Sequence, residues 1–205
     1  MTENSFAVFV QISIGAIFIQ NFVLSRFLGL CPFFGVSKKL STAVGMGLAV
    51  TFIMVISTIF TWTFNKYVLM EYEIEHLQTI SFILIIATFV QVIEMAIKKY
   101  SPTLYDSLGV FLPLITTNCA ILGVTLINIE GNKYTGLPFT FAEATVHSFM
   151  SGAGFLLALV LMAGIRERLE LANVPKAFEG LPIAFISAGL IAIAFFGFSG
   201  MSIGG

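Results

Sequence analysis

Six long apolar segments fill most of this chain, and they constrain its fold more than any other feature. A helix needs about 20 apolar residues to cross the hydrocarbon core of a bilayer. The predicted spans cover residues 6–34, 42–64, 79–97, 108–127, 144–165 and 181–198. Only 10% of the residues are charged, whereas about 25% is usual in soluble domains. The sequence therefore predicts an all-α polytopic membrane protein with a single transmembrane domain, residues 1–205.

The overall charge and the N-terminus narrow the class of protein further. The net charge is −1, which gives no electrostatic reason to expect a nucleic-acid partner. Residues 1–5 contain no basic residue, and no small-residue cleavage site precedes the apolar run. We expect this run to be a retained first span and not a removable signal peptide.

The first and fourth predicted spans are interrupted, and each carries one of the two cysteines. The first contains Phe27-Leu-Gly-Leu-Cys31-Pro-Phe-Phe-Gly35, and the fourth contains Phe111-Leu-Pro-Leu-Ile-Thr-Thr-Asn-Cys119. Irregular backbone at membrane depth is tolerated only where it is buried in protein or lines a cavity. We therefore expect helices 1 and 4 to be discontinuous and their cysteines to form two halves of one site.

A weak internal repeat relates the two halves of the chain, about 1–100 and 101–205. Gly45-Met-Gly47 in span two resembles Gly152-Ala-Gly154 in span five, and residues 80–83 resemble residues 183–186. Two units of three spans have opposite orientations in the membrane, because three is an odd number. Such inverted repeats commonly place a site near the bilayer midplane, at discontinuous helices of the two halves.

Lysine and arginine are distributed unevenly between the loops. The loops after spans one, three and five hold Lys38, Lys39, Lys98, Lys99, Arg166, Arg168 and Lys176, with Arg26 nearby. The opposite side holds only Lys66 and Lys133. Cytoplasmic loops carry an excess of basic residues. The sequence predicts that loops 1, 3 and 5 are cytoplasmic and that both termini lie outside.

Cys31 and Cys119 allow three interpretations. Free cysteines often pack as small hydrophobic residues, and a disulfide is a second possibility that membrane depth does not favour. The third is thiolate ligation of a metal centre. Two thiolates do not complete a zinc site or an iron–sulfur cluster, which normally has four protein ligands. If the site holds a [2Fe–2S] cluster, two more cysteines must come from another chain.

The neighbours of the cysteines also have two interpretations each. Thr116, Thr117 and Asn118 either form hydrogen bonds between packed helices or donate hydrogen bonds to ligand sulfurs from the second coordination shell. Gly29 and Pro32 either kink the helix or free backbone groups around a cofactor. All five are therefore candidate cofactor-binding residues.

Three further ionisable residues lie in or near the spans. Glu94 is a candidate for an ion pathway, because ionisable groups inside spans commonly serve one. It also precedes Lys98 by four residues, a spacing that favours an ion pair on a helix surface, and we prefer this second interpretation. His76 and His147 lie near the outer ends of spans, where we expect solvated side chains.

The two cysteine-containing stretches, extended to Lys39 and Ala120, resemble the signature stretches of the Rnf/Nqr membrane subunits. Residues 79–84, 101–105 and 166–168 add to the resemblance, which covers essentially the whole chain. The resemblance implies a six-span inverted repeat in the bacterial cytoplasmic (inner) membrane. It also implies a [2Fe–2S] cluster shared with a homologous subunit of opposite topology, with Cys31 and Cys119 as this chain's two ligands.

The expected function is therefore electron relay within an Rnf-type ferredoxin:NAD oxidoreductase that translocates Na⁺ or H⁺. The expected partners are an RnfE-like homologue and further subunits resembling RnfB, RnfC, RnfD and RnfG. The chain would be part of an enzyme complex and not catalytic alone, since no dinucleotide or nucleotide-binding loop is present. One alternative is the counterpart subunit of the Na⁺-pumping NADH:quinone reductase. Another, of a different class, is a cofactor-free secondary transporter with a substrate site near Asn118.

Overall fold

A computed structural model describes residues 2–71, 75–100, 114–115, 117–131 and 139–200. These parts of the chain contain helices and turns and no strand. The α-helices are α1 (Thr2–Ile14), α2 (Leu30–Val36), α3 (Leu40–Phe64), α4 (Gln78–Tyr100), α5 (Cys119–Glu130), α6 (Phe141–Glu170) and α7 (Leu181–Phe196). Short π-helical turns extend α1 through Gly15–Ile19 and α3 through Asn65–Leu69.

Each predicted span contains at least one helix in its described part. Among the described residues, three helices are long and apolar enough to cross a membrane: Leu40–Leu69, Gln78–Met95 and Phe141–Glu170. Three shorter apolar helices cover Val8–Ile19, Cys119–Glu130 and Leu181–Phe196. The prediction of an all-α, multi-pass membrane protein is confirmed at this level. Helix α6 begins three residues before the predicted start of span five, because Thr140 and Glu143 form a capping box there.

The first apolar segment is discontinuous, as the sequence predicts. Its π-helical turn ends at Ile19, and residues 20–29 form irregular turns before α2 begins. Asn21 stabilises this break, because its Oδ1 accepts hydrogen bonds from the backbone N–H of Val23 (3.0 Å) and Leu24 (3.3 Å). Its Nδ2 donates to the carbonyl of Gly154 at 2.8 Å, which attaches the break to α6.

The fourth predicted span also contains a break in its described part. Residues 114–115 are helical, Thr117 and Asn118 are not, and α5 begins at Cys119. The first residues of this predicted span, including Pro113, and also Thr116 lie outside the described residues.

Helices α3 and α6 cross in close contact at the centre of the core. A Cβ atom added to Gly152 would lie 2.8 Å from Cα of Thr51, and one added to Gly47 would overlap Leu156. Farther along, the hydroxyls of Thr58 and Ser148 are 2.6 Å apart. The paired positions rise along one helix as they fall along the other, so the two helices are antiparallel.

Polar contacts define the two ends of this helix pair. At one end, Arg166 Nη1 donates to the carbonyl of Phe34 (2.8 Å) and to Ser37 Oγ (3.0 Å). At the other, Trp62 Nε1 donates to the carbonyl of Phe139 at 3.0 Å. The connections after the first and fifth predicted spans therefore lie at the same end of the molecule.

Candidate metal centre

Each cysteine lies in the first turn of a short helix. Cys31 is the second residue of α2 and Cys119 is the first residue of α5. Both thiols are free and exposed at the surface of this chain. Helix N-termini present unpaired N–H groups and a partial positive charge, which stabilise thiolates and other anions. The two cysteines thus have similar positions at the start of a helix, although they come from opposite halves of the chain.

A hydrogen bond connects the two segments. The backbone N–H of Gly29 lies 3.0 Å from Cys119 Sγ and donates to it. Gly29 is the N-cap of α2 and precedes Cys31 by two residues, so both thiols lie in the same region of the molecule. The two interrupted segments therefore meet in the structure, where Gly29 contacts the sulfur through its backbone. That their cysteines form two halves of one site stays a prediction.

The close approach at Gly29 depends on the absence of a side chain. Its φ is +78°, in the left-handed region that glycine adopts most readily. A Cβ atom here would lie 2.7 Å from Phe155 Cε2 and 3.1 Å from both Ala120 Cβ and Asn118 Oδ1. A side chain would therefore separate the break in the first span from the start of α5.

Asn118 contributes two groups to the site. Its side chain caps α5, because Oδ1 accepts a hydrogen bond from the backbone N–H of Ala120 at 3.0 Å. The side chain is buried, and its Nδ2 has no hydrogen-bond partner among the residues that the structure describes. A buried amide without a partner is costly. Its donor is therefore available to a group outside the described residues.

The remaining predicted site residues differ in their surroundings. Pro32 is buried in the first turn of α2, where its missing N–H costs no helical hydrogen bond. Thr117 is exposed, directly before Asn118, and Thr116 lies outside the described residues. Glu94 is half-buried on α4, and its predicted pairing with Lys98 stays a prediction.

A buried polar cluster, which sequence reasoning missed, connects α3, α5 and α6. Asn128 Nδ2 donates to Ser148 Oγ at 2.9 Å, and Ser148 in turn contacts Thr58. His147 Nδ1 lies 2.7 Å from Asn128 Oδ1. The prediction that His147 is solvated is therefore wrong: only 7% of the residue is exposed, because Phe139 stacks on its ring and α5 covers it.

The position of Arg26 also differs from the prediction. The sequence places it near the basic loops that follow the odd-numbered spans. In the structure it donates to Gln20 Oε1 at 3.0 Å and lines a cavity together with Glu130 and His147. This cavity lies toward the Trp62 end of the helix pair, because the break at residues 20–29 directs Arg26 away from Arg166.

Within the described residues, no group of three or more His, Cys, Asp or Glu side chains could hold a metal ion. The arrangement instead offers two exposed thiols, a backbone N–H donor on one sulfur and a free buried amide. Two thiols are half of the four protein ligands that an iron–sulfur cluster normally has.

Comparisons with known proteins agree with this membrane architecture. Residues 9–202 match the family model described as "Rnf-Nqr subunit, membrane protein". The chain is 56% identical to the A subunit of the ion-translocating oxidoreductase complex of Syntrophotalea carbinolica, over 93% of this chain and 95% of that protein. It is 58% identical to the A subunit of the Na⁺-translocating ferredoxin:NAD⁺ oxidoreductase complex of Acetobacterium woodii. This match covers 95% of this chain and 98% of that protein.

A third relative, the A subunit of the ion-translocating oxidoreductase complex of Proteus mirabilis, is 51% identical over 94% of this chain and 97% of its own. The family model covers most of the chain, and each relative is matched over nearly its whole length. The chain therefore belongs to the Rnf-Nqr family of membrane subunits.

Proposed function

We propose that this chain is the A-type membrane subunit of an Rnf-type complex, which couples ferredoxin:NAD⁺ oxidoreduction to the translocation of Na⁺ or H⁺. The relatives that match over nearly the full chain carry names of this class. The observation that carries the proposal is the pair of exposed thiols, which two interrupted helices hold at one place in the molecule.

The cofactor of this site would be a [2Fe–2S] cluster, with Cys31 and Cys119 as two of its four thiolate ligands. The other two would come from a homologous subunit of opposite topology, since clusters of this kind normally have four cysteine ligands. When bound, such a cluster accepts and releases single electrons. Exposure of both thiols at the protein surface supports a site shared between two chains.

The surrounding residues suit a negatively charged centre. The N-termini of α2 and α5 contribute partial positive charge. The Gly29 N–H already donates to Cys119 Sγ, and the free Nδ2 of Asn118 is a second donor close by. Hydrogen bonds to ligand sulfurs stabilise their charge and tune the reduction potential. Gly29 and Asn118 therefore serve as positioning and tuning residues. Pro32, in the first turn of α2, and Thr117, directly before Asn118, remain candidates for the surroundings of the cluster.

The proposed architecture is an inverted repeat of three plus three spans, with α3 and α6 as equivalent central helices. Their antiparallel crossing at Gly47 and Gly152 supports this arrangement, because symmetry about an axis in the membrane plane requires equivalent helices to run in opposite directions. In the bacterial cytoplasmic membrane, the Arg166 end would face the cytoplasm. The partners would be the RnfE-like homologue and the remaining Rnf subunits.

The free energy released by electron transfer is large enough to drive the movement of a cation across the membrane. Moving one cation against 100 mV costs about 2.3 kcal/mol. A two-electron step across 30 mV releases about 1.4 kcal/mol, so roughly 50 mV would offset one such ion. Modest differences in potential between neighbouring electron carriers are therefore sufficient for ion translocation.

Electron paramagnetic resonance of the dithionite-reduced complex tests the proposed function. We expect Cys31→Ser and Cys119→Ser each to remove the same single [2Fe–2S] signal, because each removes a thiolate from one centre. Thr63→Ser serves as the matched control, because it changes an exposed hydroxyl at the C-terminal end of α3, away from both cysteines. We expect this variant to retain the signal. Immunoblots of the partner subunits verify assembly. Survival of every iron–sulfur signal in both assembled cysteine variants would contradict the shared site.

A further inference from the structure

A cavity of about 150 Å³ lies between the break in the first span, α5 and α6. Arg26 and Glu130 line it and are exposed, whereas Ala16, Phe139 and His147 line it and are buried. The cavity thus has charged groups at its opening and an imidazole at its inner wall. Its volume is large enough for several water molecules.

The hydrogen bonds of His147 determine which ring nitrogen is free. Asn128 presents its Nδ2 to Ser148 Oγ at 2.9 Å and to the Ala144 carbonyl at 3.4 Å. Since a carbonyl oxygen only accepts hydrogen bonds, Asn128 Oδ1 faces the histidine. Nδ1 of His147 therefore carries the hydrogen and donates to Oδ1 at 2.7 Å. The neutral ring then has its lone pair on Nε2, which has no partner among the described residues.

We propose that this cavity is a water-filled access path and that Nε2 of His147 is its proton-binding site. An imidazole nitrogen binds protons readily, whereas Na⁺, like other hard cations, prefers oxygen ligands. Asn128 keeps its acceptor on Nδ1–H in both charge states of the ring. Protonation therefore requires no rearrangement of the buried cluster. His147 lies about 9 Å along α6 from its first residue, within the predicted span.

The charges around the ring have opposite effects. The Glu130 carboxylate lines the cavity and favours the imidazolium, and the Arg26 guanidinium lines it and opposes the imidazolium. Two further charges lie on the packed elements. Glu143, one turn before His147, is held by Thr140, and Lys66 of the α3 extension lies over the Trp62 ring. Among the charged groups that line the cavity, Arg26 and Glu130 are therefore the ones whose substitution should change the proton affinity of Nε2.

The assignment of His147 to ion translocation rests on the proposed function, but the proton site itself is testable without electron transfer. In the resting complex in D₂O, exchange of the imidazole C2 hydrogen is measured for each histidine peptide by mass spectrometry as a function of pH. Water is the only probe required. The exposed His76, the other histidine of this chain, is the internal reference.

We expect His147 to exchange in the native complex, with a sigmoidal dependence on pH whose midpoint reports protonation of Nε2. Arg26→Gln should move the midpoint to higher pH and Glu130→Gln to lower pH, each by roughly one unit. Absence of exchange at His147 while His76 exchanges would overturn the proposal, as would a midpoint that neither variant moves. A Cys31→Ser complex should show the same His147 curve, which separates this result from failure of the electron-transfer proposal.

The contribution to translocation is measured in sealed vesicles as the number of cations moved per NADH formed. We expect His147→Gln to lower this ratio several-fold, because the amide fills a similar space but does not accept a proton at neutral pH. His76→Gln is the matched control and leaves the ratio unchanged. An equal ratio in His147→Gln and the unaltered complex would overturn the role in translocation. If His147→Gln does not assemble, Glu130→Gln is assayed in the same way.

Discussion

At the scale of single residues, the candidate metal centre depends most on Gly29. Its left-handed backbone places an N–H group 3.0 Å from Cys119 Sγ. The residue is also enclosed by Phe155, Ala120 and Asn118, which leave no room for a Cβ atom. Two independent constraints, conformation and space, therefore require glycine at this position.

Gly29→Ala should weaken both the fold of the break and the site. A left-handed conformation costs an L-residue about 1–2 kcal/mol, and overlap with Phe155 adds a cost of similar size. We expect a lower melting temperature of the complex and a strongly reduced [2Fe–2S] signal per assembled complex. Gly45→Ala is the matched control, because a Cβ atom there meets nothing within 4 Å. Equal signals and melting temperatures in the two variants would show that Gly29 is dispensable.

At the scale of helices, the crossing of α3 and α6 positions both breaks. Gly152 allows α6 to approach Thr51, and two residues later the Gly154 carbonyl accepts the hydrogen bond from Asn21. In membranes, small residues allow helices to pack closely without a hydrophobic driving force between them. The position of the first break is therefore coupled to the distance between these two helices.

Gly152→Ala should destabilise this crossing. The new methyl group would lie 2.6 Å from Thr51 Cγ2 and 2.8 Å from the Thr51 Cα atom, so a side-chain rotation does not relieve the overlap. The cost of such overpacking is about 1–3 kcal/mol. Thermal unfolding in detergent measures it. Gly164→Ala on the same helix has no atom within 4 Å of the new Cβ and should be neutral or slightly stabilising. A Gly152→Ala protein as stable as Gly164→Ala would argue against close packing here.

At the scale of the whole molecule, the two ends of the helix bundle differ in charge. Arg166 connects the last turns of α6 to Phe34 and Ser37, beside Lys38 and Lys39. The opposite end contains Trp62, Lys66, Glu130 and Glu143. The excess of basic residues at the Arg166 end predicts that this end faces the cytoplasm.

Membrane-impermeant thiol labelling checks this orientation. In a background with Cys31→Ser and Cys119→Ser, we expect Lys39→Cys and Lys176→Cys to react only from the cytoplasmic side. Tyr67→Cys and Glu71→Cys should react only from the outside. All four positions are exposed in the structure, so access to the reagent reports the side of the membrane. Labelling of Lys39→Cys from outside would reverse the assignment.

The helices were predictable from sequence to a greater degree than the contacts of the polar residues. Apolar length alone identifies segments that must form helices in a bilayer, because backbone groups have no other partners there. His147 and Arg26 show where this reasoning fails. Each is near a predicted span end in sequence, but Phe139 and Asn128 enclose His147, and the turns at residues 20–29 bring Arg26 into the same cavity. Their surroundings come from three separate elements, which no local pattern encodes.

The sequence by itself determined the class of protein, the number of apolar segments and the two interrupted stretches that carry the cysteines. These properties depend on local composition and on helix-breaking residues, so they can be read along the chain. Only the tertiary structure decided that Gly29 contacts Cys119, that Asn118 Nδ2 has no partner among the described residues, and that His147 is buried beside a cavity. The physical reason is that these contacts join residues far apart in sequence, and their distances are set by how closely α3, α5 and α6 pack.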